Sequence, residues 1–497
     1  MKRTRDMAAA NESGLDLHAP INDGVGQDTE TEQFRSLGHE LIDWVASYLA
    51  NPAVYAVLPA THPGDVRAAL PTAPPEQPEP LDRCIQDFHR LILPNTTHWN
   101  HPGFLAYFAN TGSPPGVLAE LLTAALNVNA MVWRTGPAAT ELEEVTTDWL
   151  RQLLGLPAGF VGIINDTASS STLYALAAAR EQCADLRLRQ DGLSDKPQLR
   201  VYCSEEAHSS VDKAAITLGL GLRGVRRIAS NSNFEMDSSA LRNAIREDRA
   251  QGIRPMAVVG TVGTTSTTAI DPVSELGAIC AEHGIWLHVD AAYGGSAAVL
   301  PEMRWILAGA ERADSLVVNP HKWLLVPMDC SVLYTRRPEL LRAAFSLTPE
   351  YLTTPESSSA RNLMDYGISL GRRFRALKLW FVLRSYGAEG VRAMVREHIR
   401  IARLLASWID DHPQFERPAP APLSVVLFRH LSPAAASEAL LDRHNQELLD
   451  RINASGQFFL SHTRVHGRFV LRVAIGNRGT TEEHVQKLWS TLLRFVQ

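Results

Sequence analysis

From about residue 160 the chain alternates short apolar runs with stretches of helical periodicity, and no other feature of its 497 residues constrains the fold as strongly. The runs fall at 160–164, 199–203, 225–229, 256–261, 285–289, 315–318 and 331–334. Taken together the runs are apolar at most successive positions, so both faces of the strands need cover. A mainly parallel sheet between layers of helices meets that demand, and the expected class is α/β.

The rest of the chain divides around this body. Residues 1–30 are polar and aperiodic and read as a disordered tail. Phe34, Leu37, Leu41, Val45 and Tyr48 recur at helical spacing and give an amphipathic helix whose apolar stripe needs a partner surface. With a Pro-rich connector at 71–80, this helix belongs to an N-terminal helical arm over 31–112. The large α/β domain is expected over 113–385 and a small α+β domain over 386–497. A long helical stretch at 371–410 leads into the latter, where strands at 423–428 and 469–474 interleave with helices at 436–454 and 481–496.

A hydrophobic content of 45% over this length can bury a large core. The net charge of -6 and the scatter of Lys and Arg argue against a nucleic-acid partner. No apolar run is long enough to span a bilayer, and the basic start Met1 to Arg5 lacks the apolar segment of a signal peptide. Five widely spaced cysteines without a Cys-x-x-Cys pair argue against a disulfide framework or a zinc site. No metal or membrane association is expected, and cytoplasmic residence is the simplest fit.

Lys322 stands in Asn319-Pro320-His321-Lys322-Trp323, after a run that ends His288-Val289-Asp290-Ala291-Ala292-Tyr293. A lone lysine is most often a solvated charge, and an aspartate after a strand most often a helix cap. Here Val317 and Val318 precede the lysine motif and Trp323, Leu324, Leu325 and Val326 follow it, an apolar setting that favours the neutral, nucleophilic amine. An amine able to form a Schiff base, with a carboxylate to keep a pyridine nitrogen protonated, is the pair that pyridoxal 5'-phosphate requires. Gly219, Gly221 and Gly224 fit the dinucleotide fingerprint as a string, but a helical pattern precedes them and a strand follows, so they read as a helix stop. His462 and His466 lack further ligands nearby and read as a surface pair.

Six strings stand in one order: Trp99-Asn100-His101-Pro102, Ala207-His208-Ser209-Ser210-Val211, Gly263-Thr264-Thr265, the Asp290 and Lys322 motifs, and Gly371-Arg372-Arg373-Phe374-Arg375-Ala376-Leu377-Lys378. Together they resemble the group II pyridoxal-phosphate-dependent decarboxylases, most closely the aromatic-L-amino-acid decarboxylases, from about residue 32 to the C-terminus. The resemblance implies fold-type I architecture, conversion of an L-amino acid to its amine and carbon dioxide, and a homodimer with active sites at the subunit interface. It implies Lys322 as the Schiff-base lysine, Asp290 as partner of the ring nitrogen, His208 and Ala292 against the two ring faces, and Thr265 beside His208 and Asp290. Ala168, Ser169 and Asn319 match phosphate contacts, although Asp166 and Ser170 replace the family's commonest Gly and Glu; by itself the Ser/Thr run also fits an ordinary helix cap.

Tyr351 matches the mobile-loop tyrosine that protonates the α-carbon, where plant relatives with Phe tend to make aldehydes; on sequence alone a half-buried loop tyrosine is a fair competitor. The Ser-rich 353–360 segment reads as a lid. His321 matches a histidine near substrate, fit for proton transfer or for a neutral spacer. Trp99, Tyr107 and Phe108 match aromatic-pocket positions, though all three also fit a plain core. Asn110, Asn129 and Met131 stand where animal aromatic decarboxylases carry Thr, Ile and Phe, which makes this pocket more polar and leaves a polar substrate open.

Overall fold

Seven strands form the central sheet: β1 (Val161–Asn165), β2 (Leu199–Ser204), β3 (Val225–Ile228), β4 (Arg254–Thr261), β5 (Trp286–Asp290), β6 (Ser315–Val318) and β7 (Ser331–Thr335), in the order β1-β7-β6-β5-β4-β2-β3. The computed structural model describes residues 27–347 and 355–496. Most of the expected tail, and Tyr351, lie outside them. Strands β3, β2, β4, β5 and β6 run parallel, while β7 pairs antiparallel with both β6 and β1. The β6–β7 connection holds only the four-residue helix Pro320–Trp323, too little for the crossover that a parallel return needs.

The helices around the two sheets include α1 (Gln27–Ala50), α2 (Pro114–Leu126), α3 (Pro137–Leu154), α4 (Ala168–Glu181), α5 (Ser210–Thr217), α6 (Ser238–Ala250), α7 (Val273–His283), α8 (Ala376–Asp410), α9 (Glu438–Ala454) and α10 (Glu482–Val496). Strand alternation sends neighbouring side chains into different cores. Ala257 and Val259 of β4 pack with Tyr174 of α4 and Val211 of α5, whereas Val258 packs with Leu241 of α6 and Leu276 of α7. Helix α5 does precede Gly219 and β3 does follow Gly224, with Gly219 and Gly221 at positive φ.

The C-terminal sheet is wider than the sequence pattern indicates. Besides β9 (Val425–His430) and β11 (Arg468–Ala474) it contains β8 (Phe415–Glu416) and β10 (Ser461–Val465), in the order β10-β11-β9-β8. The first addition is only two residues long, and the second is a half-exposed edge strand with little apolar signal. Helix α8 starts at Ala376 rather than 371, and Gly387, at φ +63°, breaks its helical path. Leu379 and Val382 before the break pack in the main core, while Ile401 and Leu405 beyond it pack with α9 and α10. Helix α1 begins seven residues before Phe34, which is exposed. No helix among the described residues is long and apolar enough to cross a membrane, and no group of metal-ligating side chains occurs among them.

Beside the carboxyl ends of β4 and β5 the backbone is packed against itself. Gly263 has φ +88°, and a Cβ there would lie 2.9 Å from the Gly294 nitrogen. A Cβ on Gly294 would meet the Val262 carbonyl oxygen at 2.4 Å. Gly263→Ala is therefore expected to destabilise the fold by about 1–3 kcal/mol, the cost of strained backbone. Urea unfolding of the two proteins checks this, and equal midpoints would show that the turn has room.

Candidate active site

The parallel pairing of β5 with β6 sets Asp290 opposite Val317, so both strands deliver their carboxyl ends to the same edge of the sheet. From there three hydrogen bonds lead from carboxylate to lysine. The Ala292 amide donates to Asp290 Oδ1 (3.1 Å), the Asn319 amide to the Ala292 carbonyl (3.0 Å), and the Lys322 amide to the Asn319 carbonyl (2.9 Å). Strand β4 adds Thr261, in register with Asp290. A cavity of about 300 Å³ opens over these strand ends.

Thirteen expected residues line this cavity: Lys322, Asp290, His208, His321, Ala292, Thr265, Ala168, Ser169, Asn319, Trp99, Tyr107, Phe108 and Asn110. Asn129 and Met131 do not. The Arg372 amide donates to Asn129 Oδ1, and the Met364 amide to the Met131 carbonyl, which fixes that segment against the 362–372 stretch and away from the cavity of its own chain. The cavity also takes in Thr167, Thr261, Gly263, Tyr293 and Met328, to none of which the sequence assigns a site role, although Gly263 and Tyr293 stand in the quoted motifs.

Burial governs the charge states. It pulls the partly buried Lys322 ammonium below its ordinary pKa, Asp290 opposes that shift, and Arg472 adds to it. His208 Nδ1 accepts the Ser210 amide (3.1 Å), so the neutral ring carries its proton on Nε2, and burial keeps its pKa lowered against the pull of Asp290. His321 is taken down to about 4, chiefly by burial, and its Nδ1 accepts the Cys330 amide (2.9 Å). Its proton then lies on Nε2, facing the Asn319 side-chain amide at 3.4 Å. Asn319 meets that donor best with Oδ1, an orientation that turns its own N–H groups to the cavity.

The aromatic wall is a stack: Phe108 on Tyr293 with ring centres 3.8 Å apart, and Tyr293 on Trp323 at 4.8 Å. Trp323 Nε1 donates to His398 Nδ1 (2.9 Å), and His398 Nε2 faces the Asn477 carbonyl (3.1 Å). Because an indole N–H can only donate, His398 must be the Nε2-protonated tautomer.

The donor set fits pyridoxal phosphate. Thr261 Oγ1 and the Asn319 side-chain atom turned away from His321 are buried without a hydrogen-bond partner at the cavity, and in the orientation argued above that Asn319 atom is an N–H donor. The 14-residue helix α4 begins at Ala168, so Thr167, Ala168 and Ser169 bring amide-rich, positively polarised backbone to one end of the cavity, where a phosphate is stabilised. Ala292 leaves room where a larger side chain would fill the space.

Residues 63–431 match the pyridoxal-dependent decarboxylase conserved domain. The chain is 40% identical to aromatic-L-amino-acid decarboxylase of Rattus norvegicus, over 93% of this chain and 96% of that protein. It is equally 40% identical to phenylacetaldehyde synthase of Arabidopsis thaliana, with 93% and 96% covered. The crystal structure of Oryza sativa TDC with PLP and tryptamine superposes with a TM-score of 0.91 at 35% identity, covering 94% of this chain and 98% of that one. The chain belongs to the pyridoxal-dependent decarboxylase family. It is a carboxy-lyase of fold-type I that uses pyridoxal phosphate to decarboxylate an amino acid.

Replacing Lys322 by alanine is expected to abolish covalent attachment of the cofactor while leaving residual non-covalent binding. Borohydride reduction followed by peptide mapping checks it: an adduct on any other lysine, in either protein, contradicts the assignment.

Proposed function

We propose that the enzyme removes the α-carboxylate of an aromatic L-amino acid and releases the amine. The observation that carries this reading is the aromatic surface of Trp99, Tyr107 and Phe108 beside Lys322 and Asp290 in one cavity. A planar side chain there gains both burial and ring contacts. Bound pyridoxal phosphate supplies an electron-accepting ring. Lys322 Nζ would hold its aldehyde, Asp290 the proton on its ring nitrogen, and the start of α4 with Ser169 and Asn319 its phosphate.

The chain's own groups then orient and protonate. His208, with Nδ1 committed to the Ser210 amide, presents Nε2–H as a fixed donor over the cavity. His321, held neutral and anchored to Cys330 and Asn319, serves better as a rigid spacer than as a mobile acid. Tyr351, assigned on the family resemblance, would deliver a proton to the α-carbon after carbon dioxide leaves.

Action as a homodimer completes the proposal. Leu118, Leu121, Leu122 and Leu126 of α2 are exposed, and an apolar groove of about 600 Å³ runs between α1 and the body past Val45, Leu49, Pro102 and Val117. A second copy covering these surfaces would bring the Asn129 and Met131 segment towards its partner's pocket. A cytoplasmic setting suits the five free cysteines.

Carbon dioxide release from a panel of single amino acids tests the substrate class. Turnover of tryptophan, tyrosine, dihydroxyphenylalanine or phenylalanine supports it, and turnover confined to acidic or small polar amino acids defeats it. Tyr351→Phe is expected to lower amine output by roughly 100-fold, as loss of a positioned general acid does, with aldehyde and hydrogen peroxide rising in its place. Unchanged amine output removes Tyr351 from that role. Leu121→Arg paired with Leu122→Glu is expected to give monomers in sedimentation velocity, and an unaltered dimer places the interface elsewhere.

A further inference from the structure

Arg472, in the middle of β11, is 3% exposed and makes its hydrogen bonds to backbone carbonyls alone. Nε donates to Thr265 (3.1 Å) and Ser266 (3.3 Å), and Nη1 donates to Tyr107. Nη2 is buried without a partner, and among the described residues no carboxylate pairs with the guanidinium. Burial brings Arg472 down to about 10, so it remains a cation at neutral pH. A buried cation without a counter-ion is expensive, and such a residue persists where its charge has a use.

Its nearest charged neighbour in function is Lys322. The guanidinium carbon lies 4.7 Å from the centre of the Phe108 ring and Lys322 Nζ lies 5.2 Å from the same centre, which places the two charges within about 10 Å of each other. Among the described residues, the titratable and charged groups that interact electrostatically with Lys322 are Asp290 from β5, His208 before α5, its neighbour His321, and Arg472 from β11. Both histidines are held neutral by burial, so Asp290 and Arg472 set the field at the amine, with opposite signs. Asp290 alone would hold Lys322 as an ammonium.

We propose that Arg472 is a positioning residue for the lysine chemistry: its unpaired charge, shared across the Phe108 ring, offsets Asp290 and keeps the Lys322 amine available as a nucleophile. The inference rests on Lys322 being the cofactor lysine. Capture of the aldehyde needs the neutral amine, whose lone pair attacks the carbonyl carbon; the C=N bond forms as the carbonyl oxygen leaves in water, and an ammonium has no lone pair with which to begin. Arg472 touches none of the reacting atoms and acts through the amine.

The test is the pH dependence of pyridoxal-phosphate capture by the full chain after the cofactor has been removed, followed by absorbance. Losing a cation at this separation is expected to raise the midpoint by about one pH unit in Arg472→Gln, because the ammonium is then less disfavoured. Arg472→Lys keeps the charge and should keep the midpoint. Ser266→Asp leaves Arg472 in place but gives it a counter-ion, and should raise the midpoint in the same direction even if the glutamine variant does not fold. An unmoved midpoint in the folded variants, with the reduced adduct on Lys322, overturns the role of Arg472 alone. An adduct on another lysine overturns the lysine assignment with it.

Discussion

The parallel register of β4, β5 and β6 is the constraint on which the site depends. It fixes Thr261, Asp290 and Val317 side by side, and the chain beyond each strand must then turn over the same sheet edge. The hydrogen bonds from Asp290 through Ala292 and Asn319 to the Lys322 amide turn that register into a fixed spacing between acid and amine. A slip of one residue in β5 would send Asp290 to the opposite face of the sheet, among the packed side chains. Every position of β5 and β6 is buried, and the hydrophobic penalty of such a slip makes the register secure.

Most of this frame was legible in the sequence. The inner strands β4 to β7 are largely apolar and need cover on both sides, and a strand of that kind announces itself without any knowledge of its neighbours, whereas edge strand β3 carries Arg226 and Arg227 between its two apolar ends. Lys322 and Asp290 were legible because each combines a charge with an apolar setting that a surface residue does not have. Edge strand β10 was not, since half its side chains face solvent and its pattern resembles a loop. Arg472 was missed although the signal was there: a charge inside the apolar run from Phe469 to Ala474 has to be explained by a use or a partner. Thr261 and Met328 reach the cavity through tertiary placement, and nothing local distinguishes them from other threonines and methionines.

The electrostatics of the site are kept sparse by burial. His288, His321 and His398 are each lowered to about 4, and His208 is lowered as well, so the imidazoles around the sheet edge are neutral hydrogen-bonding groups. Each has at least one ring nitrogen engaged: His208 with Ser210, His288 with Ser315, His321 with Cys330 and His398 with Trp323. Fixed tautomers with little charge leave Asp290, Lys322 and Arg472 as the formal charges that matter at the amine. Their balance can then be altered by one substitution, which a site crowded with titrating histidines would not allow.

The C-terminal sheet is part of the site's framework. Arg472 of β11 holds the Tyr107 carbonyl from the segment before α2 and the Thr265 and Ser266 carbonyls from the large sheet's connections. Asn477, just beyond β11, donates to the Trp99 and His101 carbonyls and accepts from His398, which in turn fixes Trp323 next to Lys322. Three regions distant in sequence therefore meet at two polar side chains, each buried and each bonded to main chain. Main-chain acceptors cannot rotate away as side-chain acceptors can, so such contacts transmit displacement with little slack. It follows that the aromatic wall is positioned from both sides: Phe108 and Trp99 come from the segment before α2, but the place they occupy is set by β11 and the segment just beyond it.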